Sequence, residues 1–271
     1  MLNTIITFLE QSIELFKKNY NLFLSLSVVS GLIVFFNQTF QNYINSQDDL
    51  FYKVILVLLG ILFLIFGLIY YGSRISISLF LLIDDKINSR ETSISKVFDE
   101  SKNLFWPYLK TTVKLGLLLL IPIILFMLAL RPEINIFLKA VLVIIPAIAI
   151  LYIVLNYGLA INVSILQPDE ISYFNKSKEL FETNKKMVFL LFLLVLGIPA
   201  LASYIPSWIF GNTYIFKIID RNLILSTILT VFISPISSGL IIYIYWYLNN
   251  RIESNKNEQE GNALGIDGSE I

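Results

Sequence analysis

Cysteine and histidine are both absent from the 271-residue sequence. The chain can therefore form no disulfide, thiolate site, imidazole base or imidazole metal ligand. These absences exclude zinc sites built on His or Cys, Cys or Ser-His nucleophile systems, and haem proteins with His or Cys axial ligands. We expect no catalytic residue, no metal site and no cofactor, and we expect that the protein is not an enzyme.

Charged residues are scarce as well: they make up 15% of the chain, and 20 Lys+Arg balance 20 Asp+Glu. A soluble domain of this length would need more charge to cover its surface. Hydrophobic residues reach 56% and the mean hydropathy is +0.74. We therefore expect lipid to be the main solvent, and a net charge of zero gives no indication of a nucleic-acid partner.

Six apolar stretches dominate the sequence. A spanning helix needs about 20 apolar residues, and an open sheet cannot satisfy its backbone in hydrocarbon. The predicted fold class is therefore all-α membrane, with six transmembrane helices. The stretches run over Tyr20–Phe36, Leu50–Gly72, Tyr108–Leu130, Ile136–Leu166, Met187–Ile205 and Leu223–Leu248. The first is short and is expected to extend into Asn37–Phe40, and the even-numbered helices are expected to continue to Ile83, Leu166 and Arg251.

The basic residues predict the orientation of these helices. With the N-terminus inside, 15 of the 20 Lys and Arg residues fall on the inner side and only five on the outer side. The positive-inside rule then places both termini in the cytoplasm, with the protein in the cytoplasmic (inner) membrane. The five outer residues are Lys53, Arg131, Lys139, Lys217 and Arg221.

A short segment before each odd-numbered stretch repeats one pattern. Each segment has two bulky apolar residues, a serine three positions after them, and a Leu-Phe pair three positions after the serine. These offsets trace one face of an amphipathic helix with the small serine at its centre. The members are Phe8-Leu9, Ser12 and Leu15-Phe16; Val97-Phe98, Ser101 and Leu104-Phe105; and Tyr173-Phe174, Ser177 and Leu180-Phe181.

A glycine motif closes each unit. Tyr71-Gly72 with Ile75 matches Tyr157-Gly158 with Ile161, and a weaker copy begins at Ser238-Gly239. Self-similarity at about 80 residues indicates three units, each an interfacial helix followed by a helical hairpin. The units cover about 1–83, 92–166 and 169–250, and together they form a single membrane domain over 1–250. Residues 251–271 are expected to be a polar, disordered cytoplasmic tail.

Two spans restore the chain direction, so the three units are predicted to be parallel repeats about an axis along the membrane normal. Small residues let helices approach closely in lipid. Gly72, Gly158 and Gly239 are therefore predicted to be helix-packing positions. The three serines, Ser12, Ser101 and Ser177, are each predicted to face the spans of their own unit.

At these residues the chain resembles a known family. Ser177–Asn184, with a second copy at Ser12–Asn19, is similar to the S-W-E-L-[FT]-K-x-N pattern of the six-helix membrane domain found with some bacterial glycerophosphoryl diester phosphodiesterases and in its free-standing relatives. The resemblance covers most of 1–250 and implies the six-helix fold and a membrane role. Only 23 residues follow Leu248, too few for a catalytic barrel, so phosphodiesterase activity is not expected.

Few polar residues are candidates for a site. Arg74, Lys110 and Lys114 lie near inner helix ends, where snorkelling to anionic headgroups is favoured over substrate binding. Asn156 and Asn162 are interpreted as interhelical hydrogen-bonding residues, and with Arg74 they are the candidates for lining a cavity. The acidic pairs Asp84-Asp85 and Asp169-Glu170 are interpreted as helix-end and N-cap residues, with Asp169 opening the third amphipathic helix.

Two functions from different classes stay open. The first is a non-enzymatic membrane protein that organises lipids or supports a partner complex, with the amphipathic helices as a cytoplasmic docking surface for a protein partner. The second is a transport component, either a small carrier or a membrane subunit of a separate ATPase, since the chain has no phosphate-binding loop of its own. All 20 carboxylates lie outside the six stretches, which disfavours a proton- or sodium-coupled carrier.

Overall fold

The structure, a computed structural model, describes residues 2–46, 50–129, 131, 135–195, 197 and 221–263. Within these ranges the regular elements are all helical and no strand occurs. The prediction of an all-α chain is therefore confirmed. It follows from long apolar stretches in which each backbone N–H can be satisfied only by its own helix.

Among the described residues, four helices are long and apolar enough to cross a membrane: Tyr20–Asn45, Ile94–Ala129, Ile136–Leu166 and Thr227–Asn255. They contain the first and fourth predicted spans, the third up to Ala129, and most of the sixth. Many of their large apolar side chains are exposed, as expected for a surface that lipid covers. On the third and fourth predicted spans these include Leu117, Ile121, Met127, Phe137, Ile145 and Ile148.

The second predicted span is not a single regular α-helix, and the fifth is described only in part. Helix α3 (Leu50–Phe63) passes into a π-helical segment (Leu64–Gly72) and then into α4 (Ser73–Ile87). For the fifth, the helix α9 covers 185–195, and 196 and 198–205 lie outside the described residues. A single regular α-helix is therefore absent from the second span, and the fifth is described over its first half.

The three serine-centred segments are helical but do not all end in the same way. The first is α1 (Leu2–Lys18), which is separated at Asn19 from α2 (Tyr20–Asn45). The third is α8 (Tyr173–Thr183), which is separated from α9 at Asn184. The second instead continues without a break into its span as the single helix α5 (Ile94–Ala129). The expectation of a separate interfacial helix is wrong for this unit.

An asparagine stands at each of the two breaks. Asn19 donates its side-chain amide to the carbonyl of Leu15, and its own carbonyl accepts from the backbone N–H of Leu22. Asn184 accepts the N–H of Met187 on its side-chain oxygen at 3.2 Å. Such side chains compete with the helix backbone and favour caps. The equivalent position in α5 is Tyr108, which has no side-chain amide, and the helix continues through it.

Three other boundaries differ from the sequence-based expectation. The first span continues as helix to Asn45, beyond Phe40. The fourth span is interrupted at Gly158 and Leu159, between α6 (Ile136–Tyr157) and α7 (Ala160–Leu166). Helix α10 (Arg221–Ala263) continues through the polar residues expected to be disordered, and 264–271 lie outside the described residues.

The chain divides into two compact units. Unit 1 comprises Met1–Tyr108 and Leu191–Ile242, and unit 2 comprises Leu109–Leu190 and Tyr243–Ile271. In unit 1, α2 packs against α1, α3, the π segment and α4. In unit 2, α6 and α7 pack against α8. Every contact described below lies inside one unit.

Candidate functional site: three serine-centred helix contacts

The Ser101 contact joins α4 to the first turns of α5 in unit 1. Ser101 is fully buried, and its Oγ donates to the carbonyl of Phe98 at 2.6 Å. The same Oγ accepts from Arg74 Nε at 3.2 Å. The hydroxyl therefore both donates and accepts, and one serine connects two helices.

Arg74 is the centre of this contact. Its Nη2 donates to the carbonyl of Phe98 at 2.5 Å, and its guanidinium carbon stands 4.0 Å from the centroid of the Phe98 ring and 5.5 Å from that of Tyr70. Only 7% of Arg74 is exposed. Two hydrogen bonds and two aromatic rings therefore hold this side chain between helices instead of leaving it extended from the helix end.

Ser78 adds a second connection one turn further along α4. Its Oγ lies 2.7 Å from the carbonyl of Arg74 in its own helix and 3.4 Å from the carbonyl of Val97 in α5. Ser78 and Val97 are both fully buried. The start of α5 is thus attached to α4 by polar bonds in a dry environment, where such bonds are strong and costly to leave unmade.

A Schellman motif ends α4 and turns the chain towards α5. The N–H of Arg90 donates to the carbonyl of Asp85 at 2.7 Å, and that of Ser89 donates to the carbonyl of Lys86 at 3.3 Å. Ser89 has φ 55°, the left-handed position that usually carries glycine. Asp84 and Asp85 are therefore last-turn residues of this helix, as the sequence indicated.

The acidic pair is neutralised by the same turn. Arg90 Nη2 lies 3.0 Å from Asp84 Oδ2, and Arg90 Nη1 lies 3.1 Å from Asp85 Oδ1. Both carboxylates are buried. Negative charge at a helix C-terminus is unfavourable, and the guanidinium offsets it. The arrangement closes the turn and pairs both carboxylates with one guanidinium.

The Ser177 contact is the counterpart in unit 2. The fully buried Ser177 Oγ donates to the backbone carbonyl of Asn156 at 2.8 Å, joining α8 to the end of α6. The rings of Tyr157 and Phe174 lie 5.6 Å apart beside it, and Lys114 Nζ stands 4.6 Å from the Phe174 centroid. Unlike Arg74, Lys114 is exposed.

The two candidate asparagines are buried, but the side chain of Asn156 does not bond across helices as predicted. Its amide donates to the carbonyl of Tyr152 in its own helix at 2.9 Å, and the interhelical bond from Ser177 goes to its backbone oxygen. Asn162 is buried on α7 at 8% exposure. Lys110, the remaining basic candidate, is exposed on α5.

The Ser12 contact joins α1 to α10 in unit 1. Ser12 is buried and its Oγ donates to the carbonyl of Phe8 at 2.7 Å. A Cβ added at Gly239 would lie 3.2 Å from both Cβ and Oγ of Ser12. Nearby, the rings of Phe16 and Phe232 meet edge to face at 6.5 Å. The absence of a side chain at Gly239 is what lets α1 approach.

None of the three serine contacts just described follows the predicted pairing. Ser101 meets the span end of the first predicted unit, Ser177 meets that of the second, and Ser12 meets that of the third. The expectation that each serine contacts its own unit's spans is therefore wrong. The sequence pattern identified the contact residues but assigned each serine to the hairpin that follows it along the chain.

The glycines also differ from one another. A Cβ at Gly72 would meet only the backbone oxygen of Gly67, at 3.6 Å, so the described residues show no close helix approach there. Gly158 ends α6 with ordinary helical φ and ψ. Two glycines that the repeat did not single out are tighter: a Cβ at Gly31 would lie 2.7 Å from Val231 Cγ2, and one at Gly60 would lie 3.0 Å from Phe40.

The acidic residues before α8 have a structural role that differs from the prediction. Ser172, not Asp169, is the N-cap of α8, and it accepts the N–H of Asn175 at 3.4 Å. Asp169 and Glu170 lie in the preceding turn, where the Tyr173 hydroxyl donates to the carbonyl of Pro168. In the part of the chain that the structure describes, no group of three acidic residues could hold a metal ion.

No family model, curated protein or solved structure matches the chain.

Proposed function

We propose that the chain is a six-span protein of the cytoplasmic membrane, built from three parallel repeats with both termini in the cytoplasm. Four apolar helices of spanning length support the membrane embedding. The three serine contacts support the repeat, because Ser12, Ser101 and Ser177 are all buried against a span end from a different part of the chain. The resemblance to the phosphodiesterase-associated membrane domain is part of this proposal.

Within that frame, the proposed role is a non-enzymatic accessory that organises lipids or supports a partner complex. The supporting observation is that the three repeated serines and Gly239 all lie in contacts between helices. Helix-packing contacts that repeat along the chain favour a scaffold with a large lipid-facing surface.

A transport component is the second candidate, and one observation favours it. The second and fourth predicted spans are irregular at matching places: the π segment ends at Gly72, and α6 ends at Tyr157, directly before Gly158. Interrupted helices at corresponding positions of repeats are a mark of transporter binding sites, and π-helical turns are frequent at functional sites. In this version a separate ATPase would supply the energy.

Co-purification separates the two roles. The full chain, extracted in a mild detergent, is analysed by mass spectrometry for bound lipids and proteins. An accessory protein is expected to retain lipid, or a partner without a nucleotide-binding domain. A stoichiometric ATPase in the preparation would replace the accessory role by transport.

Cysteine labelling tests the topology. Each introduced cysteine is the only thiol in its variant, because the native chain contains no cysteine. In intact cells, a membrane-impermeant thiol reagent is expected to label Asn45→Cys and Asn212→Cys. It is expected to label Asn88→Cys and Gln167→Cys only after permeabilisation. Asn212 lies outside the described residues. Labelling of Asn88→Cys in intact cells would overturn the proposed orientation.

A further inference from the structure

Arg74 carries a positive charge that no described carboxylate balances. It is 93% buried, since only 7% of its surface is exposed, and in the described part of the chain no Asp or Glu lies within ion-pair distance of it. Burying an unpaired charge is expensive. The other buried cation, Lys176, does pair, with Glu179 at 3.4 Å. Arg74 is therefore the exception.

The guanidinium also has hydrogen-bonding capacity left over. It carries five N–H donors, and the described contacts use Nε for Ser101 and one donor of Nη2 for Phe98. Three donors are left by these two bonds, and a guanidinium presents its donors as a planar fork that matches two oxygens of one phosphate or carboxylate. The rings of Phe98 and Tyr70 hold the group in place, so little side-chain entropy is lost when an anion binds.

Aromatic residues next to this contact suit the headgroup layer of a membrane. Tyr70 meets Phe105 at 5.1 Å, and Phe105 meets Trp106 at 5.3 Å. Trp106 is 61% exposed, and it lies five residues along α5 from Ser101, about 7.5 Å of helix rise. Exposed tryptophan is typical of the membrane–water interface, where lipid phosphates are concentrated.

We infer that Arg74, held by Ser101 and Phe98, is a binding site for the phosphate of an anionic phospholipid. This inference rests on the proposed membrane embedding and names a ligand for the lipid-organising role. The phosphate supplies the negative charge that the described protein residues do not supply. Two phosphate oxygens accept from the free guanidinium donors, and the acyl chains lie along the exposed apolar surface of the neighbouring helices.

Compact unit 2 has a similar but weaker contact between a cation and an aromatic ring. Phe174 stands at the position of Phe98 in the repeated pattern, and it also has a cation, Lys114, over its ring. The first sequence repeat has Leu9 at this position and therefore no ring. Lys114 is exposed and presents a point charge without a fork. The tightest lipid site is therefore expected at Arg74.

The test measures lipid binding to the full-length protein in detergent by native mass spectrometry. The probes are phosphatidylglycerol, zwitterionic phosphatidylcholine and inorganic phosphate. The parent is expected to bind one phosphatidylglycerol more tightly than the rest. Arg74→Gln is expected to weaken that binding about tenfold, the equivalent of one charge-assisted hydrogen-bond pair. Arg74→Lys is expected to show a few-fold loss, because lysine keeps the charge but lacks the fork.

Lys110→Gln is the matched control, since it removes an exposed cation from α5, the helix that carries Ser101 and Phe98, and it is expected to change binding less than twofold. Unchanged phosphatidylglycerol binding by a folded Arg74→Gln protein would overturn the site while leaving the proposed scaffold role intact. Equal binding of phosphatidylcholine would also overturn it. Displacement of the lipid by millimolar inorganic phosphate would support the phosphate site and assign it to free phosphate.

A second measurement covers the case in which Arg74→Gln does not fold. Photoactivatable phosphatidylglycerol is crosslinked to the parent protein in membranes, and the adducts are mapped by peptide mass spectrometry. Adducts within 70–106 are expected. Adducts confined to other segments would overturn the inference without any variant.

Discussion

At the scale of single residues, Gly239 and Gly72 provide a matched pair. A Cβ at Gly239 would press on the Cβ of Ser12 at 3.2 Å, an atom that cannot move without α1, whereas a Cβ at Gly72 would meet nothing closer than 3.6 Å. Gly239→Leu is therefore expected to destabilise the protein by roughly 1–3 kcal/mol, as overpacking usually does. Gly72→Leu is expected to cost clearly less. Thermal unfolding in detergent measures both.

A Ser12→Gly change should relieve part of the Gly239→Leu penalty, because it removes the atoms that clash. The two substitutions are therefore expected to be non-additive, as for residues in direct contact. If Gly239→Leu melts like the parent, the close approach of α1 and α10 does not contribute to stability.

Ser177 and Asn156 form the second residue-scale pair. The interhelical bond runs from the Ser177 hydroxyl to the backbone oxygen of Asn156, so Ser177→Ala removes it and Asn156→Leu does not. Ser177→Ala is expected to lower the free energy of unfolding by about 0.6 kcal/mol, the usual value for such a bond in a membrane protein. Chemical unfolding in mixed micelles measures the difference. A larger loss for Asn156→Leu would show that the Asn156 amide, which bonds to Tyr152, matters more.

At the scale of elements, the turn after α4 holds a residue under backbone strain. Ser89 has φ 55° in the Schellman motif. The left-handed conformation costs a non-glycine residue roughly 1–2 kcal/mol, part of which glycine gives back through its flexible unfolded state. Ser89→Gly is therefore expected to stabilise the protein by roughly 0.5–1 kcal/mol, measured as a rise in melting temperature.

Asn88→Gly is the control for this turn. Asn88 has φ −87° and bonds through its side chain to Asp84, so glycine has no strain to relieve there and loses a contact. Its melting temperature is expected to fall. A rise for both variants would point to general loosening of the turn instead of relief at Ser89.

At the scale of the whole molecule, the Ser12 contact joins the first helix to the last one. The Cβ of Ser12 and a Cβ at Gly239 are 3.2 Å apart, close to the 3.5–4.5 Å that a disulfide requires. In a chain without native cysteine, Ser12→Cys with Gly239→Cys is expected to crosslink when isolated membranes are oxidised. A faster-migrating, reductant-sensitive band on gel electrophoresis reports the bond.

The control pair is Ser12→Cys with Gly72→Cys. It represents the arrangement in which the serine faces the hairpin of its own unit, and it is expected to stay uncrosslinked. Efficient crosslinking of the control, with none for the Gly239 pair, would restore that arrangement and contradict the contact between α1 and α10.

Sequence periodicity was sufficient for the properties that depend on local composition. The all-α class and the apolar helices follow from stretches such as Ile136–Leu166, because hydrocarbon leaves a backbone no partner except its own helix. The serines and Gly239 were identifiable for a similar reason, since a helix face repeats at fixed offsets. The short capping bonds at Asn19 and Asn184 are also local, although only comparison with the uninterrupted α5 shows their effect.

Tertiary structure alone decided which elements meet. Offsets within a helix place Ser101 on a face, but they do not state that Arg74, 27 positions earlier, fills that face. The close crossings at Gly31 and Gly60 depend on where Val231 and Phe40 are brought by the fold. The pairing of each serine with an unexpected span end has the same origin. Periodicity describes one helix at a time, whereas contact between helices is a property of their arrangement in space.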